Sequence, residues 1–389
     1  MPTPATPTEL LTRLIAFDTT SARSNLAAIA FIEEFLAAHG VAATRGYDPG
    51  RAKANIVASI GPAVAGGVIL SGHTDVVPVA GQAWSSDPFR LTSRDGRLYG
   101  RGSADMKSFI AVALAMVPEF QAAGLKVPIH FAFSYDEEVG CLGTRPLLAQ
   151  IAATLPRPAL AIVGEPSSMR VISAHKGGYG FETVIAGREA HSSCPHLGAS
   201  AIAGAGAIVH FLSGLAEELR VRPRRAQPGA VATPEFEPPY STLNVGTIQG
   251  GTAMNILARE CRLIWEFRAG SELDPAEIPD RLEAFVAEQL RPHPAGAGAG
   301  LAVETRSLFS VPALAPTPSS PAEALALKLT GANRTGPNRT GAVSFASEAG
   351  LFQAAGIPSV ICGPGSIEQA HRPDEYVEPG QIAACADFM

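Results

Sequence analysis

Four short apolar runs in this chain, residues 68–70, 129–133, 160–163 and 359–362, each break off into glycine or polar residues. Runs of this length with no polar face read as strands buried on both sides, and such strands belong to sheets covered by helices above and below. Residues 106–123, between the first two runs, are long enough for the helical crossover that a parallel pair requires. Two helices are expected ahead of them. In the first, Thr6 caps, Pro7 suits the opening turn, Glu9 completes a capping box, and Leu10, Leu11, Leu14 and Ile15 share one face. The second covers about residues 25–39 and stops at Gly40. The expected architecture is α/β, a mostly parallel sheet sandwiched by helices.

The pattern changes between residues 177 and 311. Residues 179–186 alternate like a half-exposed strand, 199–219 read as an Ala/Gly-rich helix, and a Pro-rich loop at 223–239 leads to strands at 241–248 and 256–268. A helix at 275–290 and a strand at 301–308 complete a β-α-β-β-α-β order, that of a ferredoxin-like α+β unit. At 389 residues the chain exceeds the usual single-domain range. The expectation is a discontinuous domain of residues 1–176 and 312–389 with residues 177–311 inserted as a second. A Pro/Ala/Ser-rich connector at 312–321 leads back, and Asn333-Arg334-Thr335-Gly336 then recurs as Asn338-Arg339-Thr340-Gly341, which reads as a duplicated surface turn.

Composition narrows the partners. A net charge of -6 offers no broad basic surface, so nucleic acid is not an expected partner. The five cysteines are scattered and odd in number, which suits neither a disulfide framework nor a thiolate zinc site and points to a reducing compartment. With no signal-like start and no uninterrupted apolar stretch of ~20 residues, the expectation is a cytoplasmic protein with no membrane span.

Ionisable residues follow the expected strands, where an open α/β sheet places its ligands. The first run leads into Ser71-Gly72-His73-Thr74-Asp75, offering His73 as a metal ligand and Asp75 as a partner for its other ring nitrogen. A glycine-bearing loop, Tyr99 to Lys107, delivers Asp105 to the start of a long helix, where it could equally serve as a cap. The second run leads into Asp136-Glu137-Glu138, and two glutamates there can divide the work between metal and proton. The third ends in Gly164-Glu165-Pro166, and the fourth leads through Gly363-Pro364-Gly365 to His371. Each residue alone has a bland structural reading. Together, two His and three or four carboxylates make a mixed N/O site suited to zinc, cobalt or manganese, and the donor count matches a metal pair ~3.5–4 Å apart.

The same motifs resemble the M20 metallopeptidase family and, within it, the acetylornithine deacetylase branch. The branch likeness rests on Ala174-His175-Lys176-Gly177, Ser347-Glu348-Ala349 and the segment from Ala370 to Tyr376. The resemblance implies a zinc-exopeptidase-like catalytic domain holding two divalent ions, Zn or Co. In it His73 and Glu165 would bind one metal, Glu138 and His371 the other, and Asp105 would bridge them. Glu137 would be the general base, with Asp75 orienting His73. The insert would be a lid and dimerisation domain, giving a homodimer, with His191, Asn255 and Arg268 as substrate contacts. Where the branch commonly has Asp before that arginine and Pro after it, this chain reads Trp265-Glu266-Phe267-Arg268-Ala269. The implied reaction is removal of acetate from a small N-acyl amino acid, N-acetyl-L-ornithine, to give L-ornithine.

Overall fold

The computed structural model describes residues 5–222, 236–290, 300–331 and 340–389; most of the Pro-rich loop and most of the tandem repeat lie outside them. Its main sheet has eight strands, in the order Ala43–Tyr47, Ala54–Ile60, Ile129–Ser134, Val68–His73, Leu160–Pro166, Ser359–Gly363, Ile172–His175 and Gly341–Val343. The four in the middle are the four apolar runs of the sequence, and they lie parallel. Ala43–Tyr47 and Ala54–Ile60 add antiparallel on one side, and Ile172–His175 meets Ser359–Gly363 antiparallel on the other. The sheet is therefore mixed, and parallel where it is most deeply covered.

Alternate residues of the central strands feed two different cores. Leu70, Phe131, Phe133, Ile162 and Val360 face one side, with Phe109 and Ile110. Ile69, Ala132, Ala161, Val163 and Ile361 face the other, with Leu147, Ile151 and Phe352. Because successive side chains point to opposite faces, a strand buried on both sides must be apolar throughout, which is why these runs show no alternation.

The first helix, Pro7–Ile15, forms with its capping box, Thr6 and Glu9 satisfying each other's backbone donors. The expected helix at 106–123 is two helices, Lys107–Ala115 and Val117–Ala122. Pro118 accounts for the break, since it has no N–H to give the Leu114 carbonyl one turn back and its ring crowds that carbonyl.

A separate four-stranded antiparallel sheet has the order Thr242–Gly250, Glu260–Ala269, Gly177–Ala186 and Ala302–Val311. With helices Ala201–Val221 and Glu277–Phe285 between its strands, this is the ferredoxin-like connection read from the sequence. Its core includes Phe181 stacked on Trp265, with Ile185, Ile208, Leu212 and Leu263. Helix Ala201–Val221 is long and apolar enough to cross a membrane by length and composition alone, though His210, Glu217, Glu218 and Arg220 interrupt its apolar run. Here its apolar face, including Ala205, Ile208, Leu212, Leu215 and Leu219, is committed to the core of this unit.

Candidate active site

Parallel neighbours end at the same edge, so the carboxyl ends of the four central strands bring their polar extensions together. His73 closes its strand opposite Ser134, just ahead of the Asp136-Glu137-Glu138 turn. Glu165 is the penultimate residue of the adjacent strand, preceded by Gly164, where a Cβ would sit 2.0 Å from the Phe109 ring. Glycine at that position lets the Lys107–Ala115 helix pack directly beneath the site.

Asp105 occupies the centre. Its Oδ1 lies 3.0 Å from His73 Nε2 and its Oδ2 3.5 Å from His371 Nε2, one oxygen to each imidazole. Glu165 Oε1 is 3.8 Å from His73 Nε2, and Glu138 Oε2 is 3.0 Å from His371 Nε2. His73, Glu137 and Glu165 can bring one donor atom each within 4.8 Å of one another, and so can His73, Asp105 and Glu138. All five expected ligands and the expected base are thus gathered at one place. Asp136 is turned away, its carboxylate 2.5 Å from Lys53 Nζ, which leaves the two glutamates to face the cluster.

The cluster fits a metal pair on two counts. Glu165 Oε1 is buried with no hydrogen-bond partner among the described residues, and an orphaned carboxylate oxygen aimed at an imidazole is a ligand in waiting. The donors, two imidazoles and three carboxylates around a shared Asp105, also match the N/O chemistry of borderline divalent ions.

The electrostatics follow from crowding acids out of water. Burial pushes Glu137 up to about 8, helped by the charges of Glu138, Asp105 and Asp75 and opposed by His73. Burial and Asp105 raise Glu138 to about 7. For Asp105 burial acts in the same direction, but hydrogen bonds from His371 and His73 outweigh it and hold the carboxyl well below the ordinary range. His371, bonded to Asp105 and Glu138, rises to about 10.

Asp75 works differently from the expectation. The atom that accepts from His73 Nδ1, at 2.9 Å, is the Asp75 backbone carbonyl; its carboxylate stands 3.7 Å away. That carboxylate instead accepts from the amides of Glu137 and Glu138, at 3.0 and 3.3 Å, and from Ser21 Oγ at 2.7 Å. Asp75 therefore fixes the His73 tautomer through its main chain and the glutamate turn through its side chain.

Three further residues have parts that their sequence context did not reveal. Glu375, fully buried against Arg101 at 2.7 Å, accepts from the amides of Gly102, Ala104 and Asp105, so it shapes the loop that presents Asp105. Glu348 gathers the hydroxyls of Ser71, Ser134 and Thr144 at 2.6, 2.9 and 3.2 Å, tying together the strands that carry His73 and the glutamates. The Cys141 thiol donates to Glu137 Oε1 at 3.2 Å. A four-residue spacing of Cys141 from Glu137 was the available signal; for Glu375 and Glu348 the partners are more than two hundred residues away.

The residues expected to touch substrate lie on the second sheet's unit. His191 and Asn255 are neighbours there, Ser192 N–H donating to the Asn255 carbonyl at 2.9 Å and His191 Nδ1 meeting Ser193 Oγ at 2.7 Å. Arg268 is bonded to Glu266 at 2.7 Å. Among the described residues none of the three is hydrogen-bonded to the cluster around Asp105.

Fold and site together define a metal-type centre, carboxylate and imidazole donors suited to divalent ions at the edge of a parallel sheet. The model of Peptidase family M20/M25/M40 matches residues 69–389, and the chain belongs to the M20 peptidase family, hydrolases of amide bonds. It is 37% identical over 380 residues to acetylornithine deacetylase of Myxococcus xanthus, covering 96% of this chain and 93% of that one. It is 34% identical over 339 residues to acetylornithine deacetylase of Proteus mirabilis, covering 87% and 81%. Among solved structures, an M20 family metallo-carboxypeptidase from Sulfolobus solfataricus superposes with a TM-score of 0.75 at 18% identity, covering 98% of this chain and 97% of that one. A dinuclear metal binding peptidase of the M20 family from Bacillus subtilis gives 0.61 at 17% identity, covering 98% and 96%. At these identities the two structures speak to the fold.

Proposed function

We propose that this protein removes acetate from N-acetyl-L-ornithine at a pair of divalent ions, zinc or cobalt, releasing L-ornithine for arginine synthesis in the cytoplasm. The observation that carries the metal pair is Asp105, with one oxygen to each imidazole between Glu165 and Glu138. The substrate rests on relatives 34–37% identical over most of the chain that are named for that reaction. In this reading His73 and Glu165 hold one ion, Glu138 and His371 the other, and Asp105 both. When bound, the ions supply Lewis acidity, which acidifies water and polarises the acyl carbonyl.

The chain's own groups do the rest. Glu137, within reach of both His73 and Glu165, takes the proton of the attacking water and hands it to the departing amine. Its raised proton affinity suits that return step, and the Cys141 thiol and the turn fixed by Asp75 hold its position. Residues 177–311 act as lid and dimerisation domain, residues 1–176 and 312–389 as the catalytic domain. In support, the edge strand Thr242–Gly250 and nearby Met254 and Ile256 expose a row of residues that a second copy could cover. Closure would bring His191 to the reacting carbonyl and Asn255 to the substrate. Neither nucleic acid nor membrane has a part in this reading.

A second reading keeps the chemistry and changes the substrate: another N-acyl amino acid, N-succinyl-diaminopimelate or a dipeptide. The stretch Trp265-Glu266-Phe267-Arg268-Ala269 favours it, because the likeness to the deacetylase branch departs there, at the expected carboxylate contact. The deciding experiment is amine release by zinc- or cobalt-loaded protein from N-acetyl-L-ornithine beside N-acetylmethionine, N-succinyl-diaminopimelate and a dipeptide. Preference for acetylornithine, abolished by chelator, is expected. Preference for another substrate moves the reaction to the sibling, and no turnover of any substrate leaves only a binding protein.

A further inference from the structure

We infer that Gln82, itself held by Arg101 and Trp84, is the positioning residue for His371, and that its carboxamide sets the occupancy of the metal position His371 shares with Glu138. The inference rests on the metal-pair reading above. His371 stands apart from the other donors. Its side chain is 56% exposed, whereas those of Asp105 and Glu138 are 7% and 6% exposed. His73 is held by a hydrogen bond to its second ring nitrogen, but among the described residues nothing bonds His371 Nδ1. Its backbone also sits at φ 63°, a left-handed conformation that a residue with a Cβ keeps only where its surroundings impose it. Something outside the ring must fix this ligand.

The support comes through the main chain. Gln82 Nε2 donates to the His371 carbonyl at 2.8 Å. Gln82 Oε1 accepts from Arg101 at 2.6 Å and from Trp84 Nε1 at 3.1 Å, and two donors on that atom leave the amide only one orientation, its NH2 toward His371. Arg101 in turn grips Glu375, which holds the amide of Asp105 at 3.0 Å. Ser85 adds two bonds of 2.9 Å to Asp374, three residues beyond the histidine. An unbroken path of hydrogen bonds thus joins the backbone of the bridging Asp105 to that of His371 without using any metal-facing atom. Groups that orient a ligand from behind typically change metal affinity ten- to a hundredfold when removed.

The test separates the donor from the acceptor half of one side chain. Gln82→Glu keeps an oxygen for Arg101 and Trp84 but removes the N–H that holds His371; Gln82→Ala removes both. Gln82 is only half-buried, so both variants are expected to fold, checked by thermal unfolding of the metal-free proteins. Zinc binding is measured by calorimetric titration, and bound zinc per chain by mass spectrometry after gel filtration. The expected result is two equivalents in the wild type and, in both variants, one equivalent bound as in the wild type and the other weakened about tenfold or more. Wild-type affinity for both equivalents in Gln82→Glu overturns the inference, as does equal weakening of both. A wild type that binds fewer than two equivalents overturns the metal-pair reading itself.

Discussion

His175 should make the fold acid-sensitive by an amount that the structure lets one work out. It is fully buried beside the strand end that leads into the second sheet. Its Nδ1–H donates to the Lys176 carbonyl at 2.9 Å, and its Nε2 accepts from the Gly350 amide at 3.0 Å, in the first turn of helix Glu348–Ala354. A proton on Nε2 would be desolvated and would point at that amide. Burial accordingly lowers the group from 6.5 to about 4. The folded protein resists a proton that the unfolded chain accepts, so the stability involved is complete above pH 6.5 and lost as pH falls through about 4. At 1.36 kcal/mol per unit, the full loss is about 3 kcal/mol, of which about 2 kcal/mol is gone by about pH 5. The assay is urea unfolding of metal-stripped wild type and His175→Gln at about pH 7.5 and about pH 5. Other titrating groups cancel in the difference between the two proteins. The wild type should lose about 2 kcal/mol more than the variant over this interval. Equal losses would refute the argument that His175 is held neutral.

Three other outcomes follow from the packing around the site. Arg101→Met should cost about 3–5 kcal/mol in urea unfolding, near the lower end because Glu375 keeps three backbone donors after losing its buried partner. Gly164→Ala should cost about 1–3 kcal/mol through collision with Phe109, and should lower bound zinc by displacing Glu165, which metal analysis would detect. Leu212→Ala, wholly buried in the second sheet's core, should cost about 2–5 kcal/mol and leave zinc content unchanged.

The parts of this molecule legible in the sequence are those whose signal is local. An apolar run breaking into His73, or into Glu137 and Glu138, marks a strand and its functional end together, and parallel geometry then forces the ends to one edge. The edge strand Ala43–Tyr47 escaped because, with Thr, Arg and Gly in five residues, it has no apolar pattern to read. Pro118 was a readable breaker inside residues 106–123, and its effect was to split the helix. What could not be read is the layer behind the ligands. Glu375 meets Arg101 and Glu348 meets Ser71 across 274 and 277 residues, and no spacing rule reaches that far. Asp75 shows the subtler limit, since the residue was right but backbone geometry decided which of its oxygens serves His73.

The most direct test of the account is Glu137→Gln. Gln keeps the shape and buried volume of the residue but cannot take a proton, so a base at this position and a merely structural acid give different results. Bound zinc per chain and turnover of the best substrate are measured on the same preparation of wild type and variant. The account predicts two zinc ions retained and turnover lowered by at least about a hundredfold, the lower end of what general-base catalysis contributes. Two zinc ions with turnover near that of the wild type would contradict it.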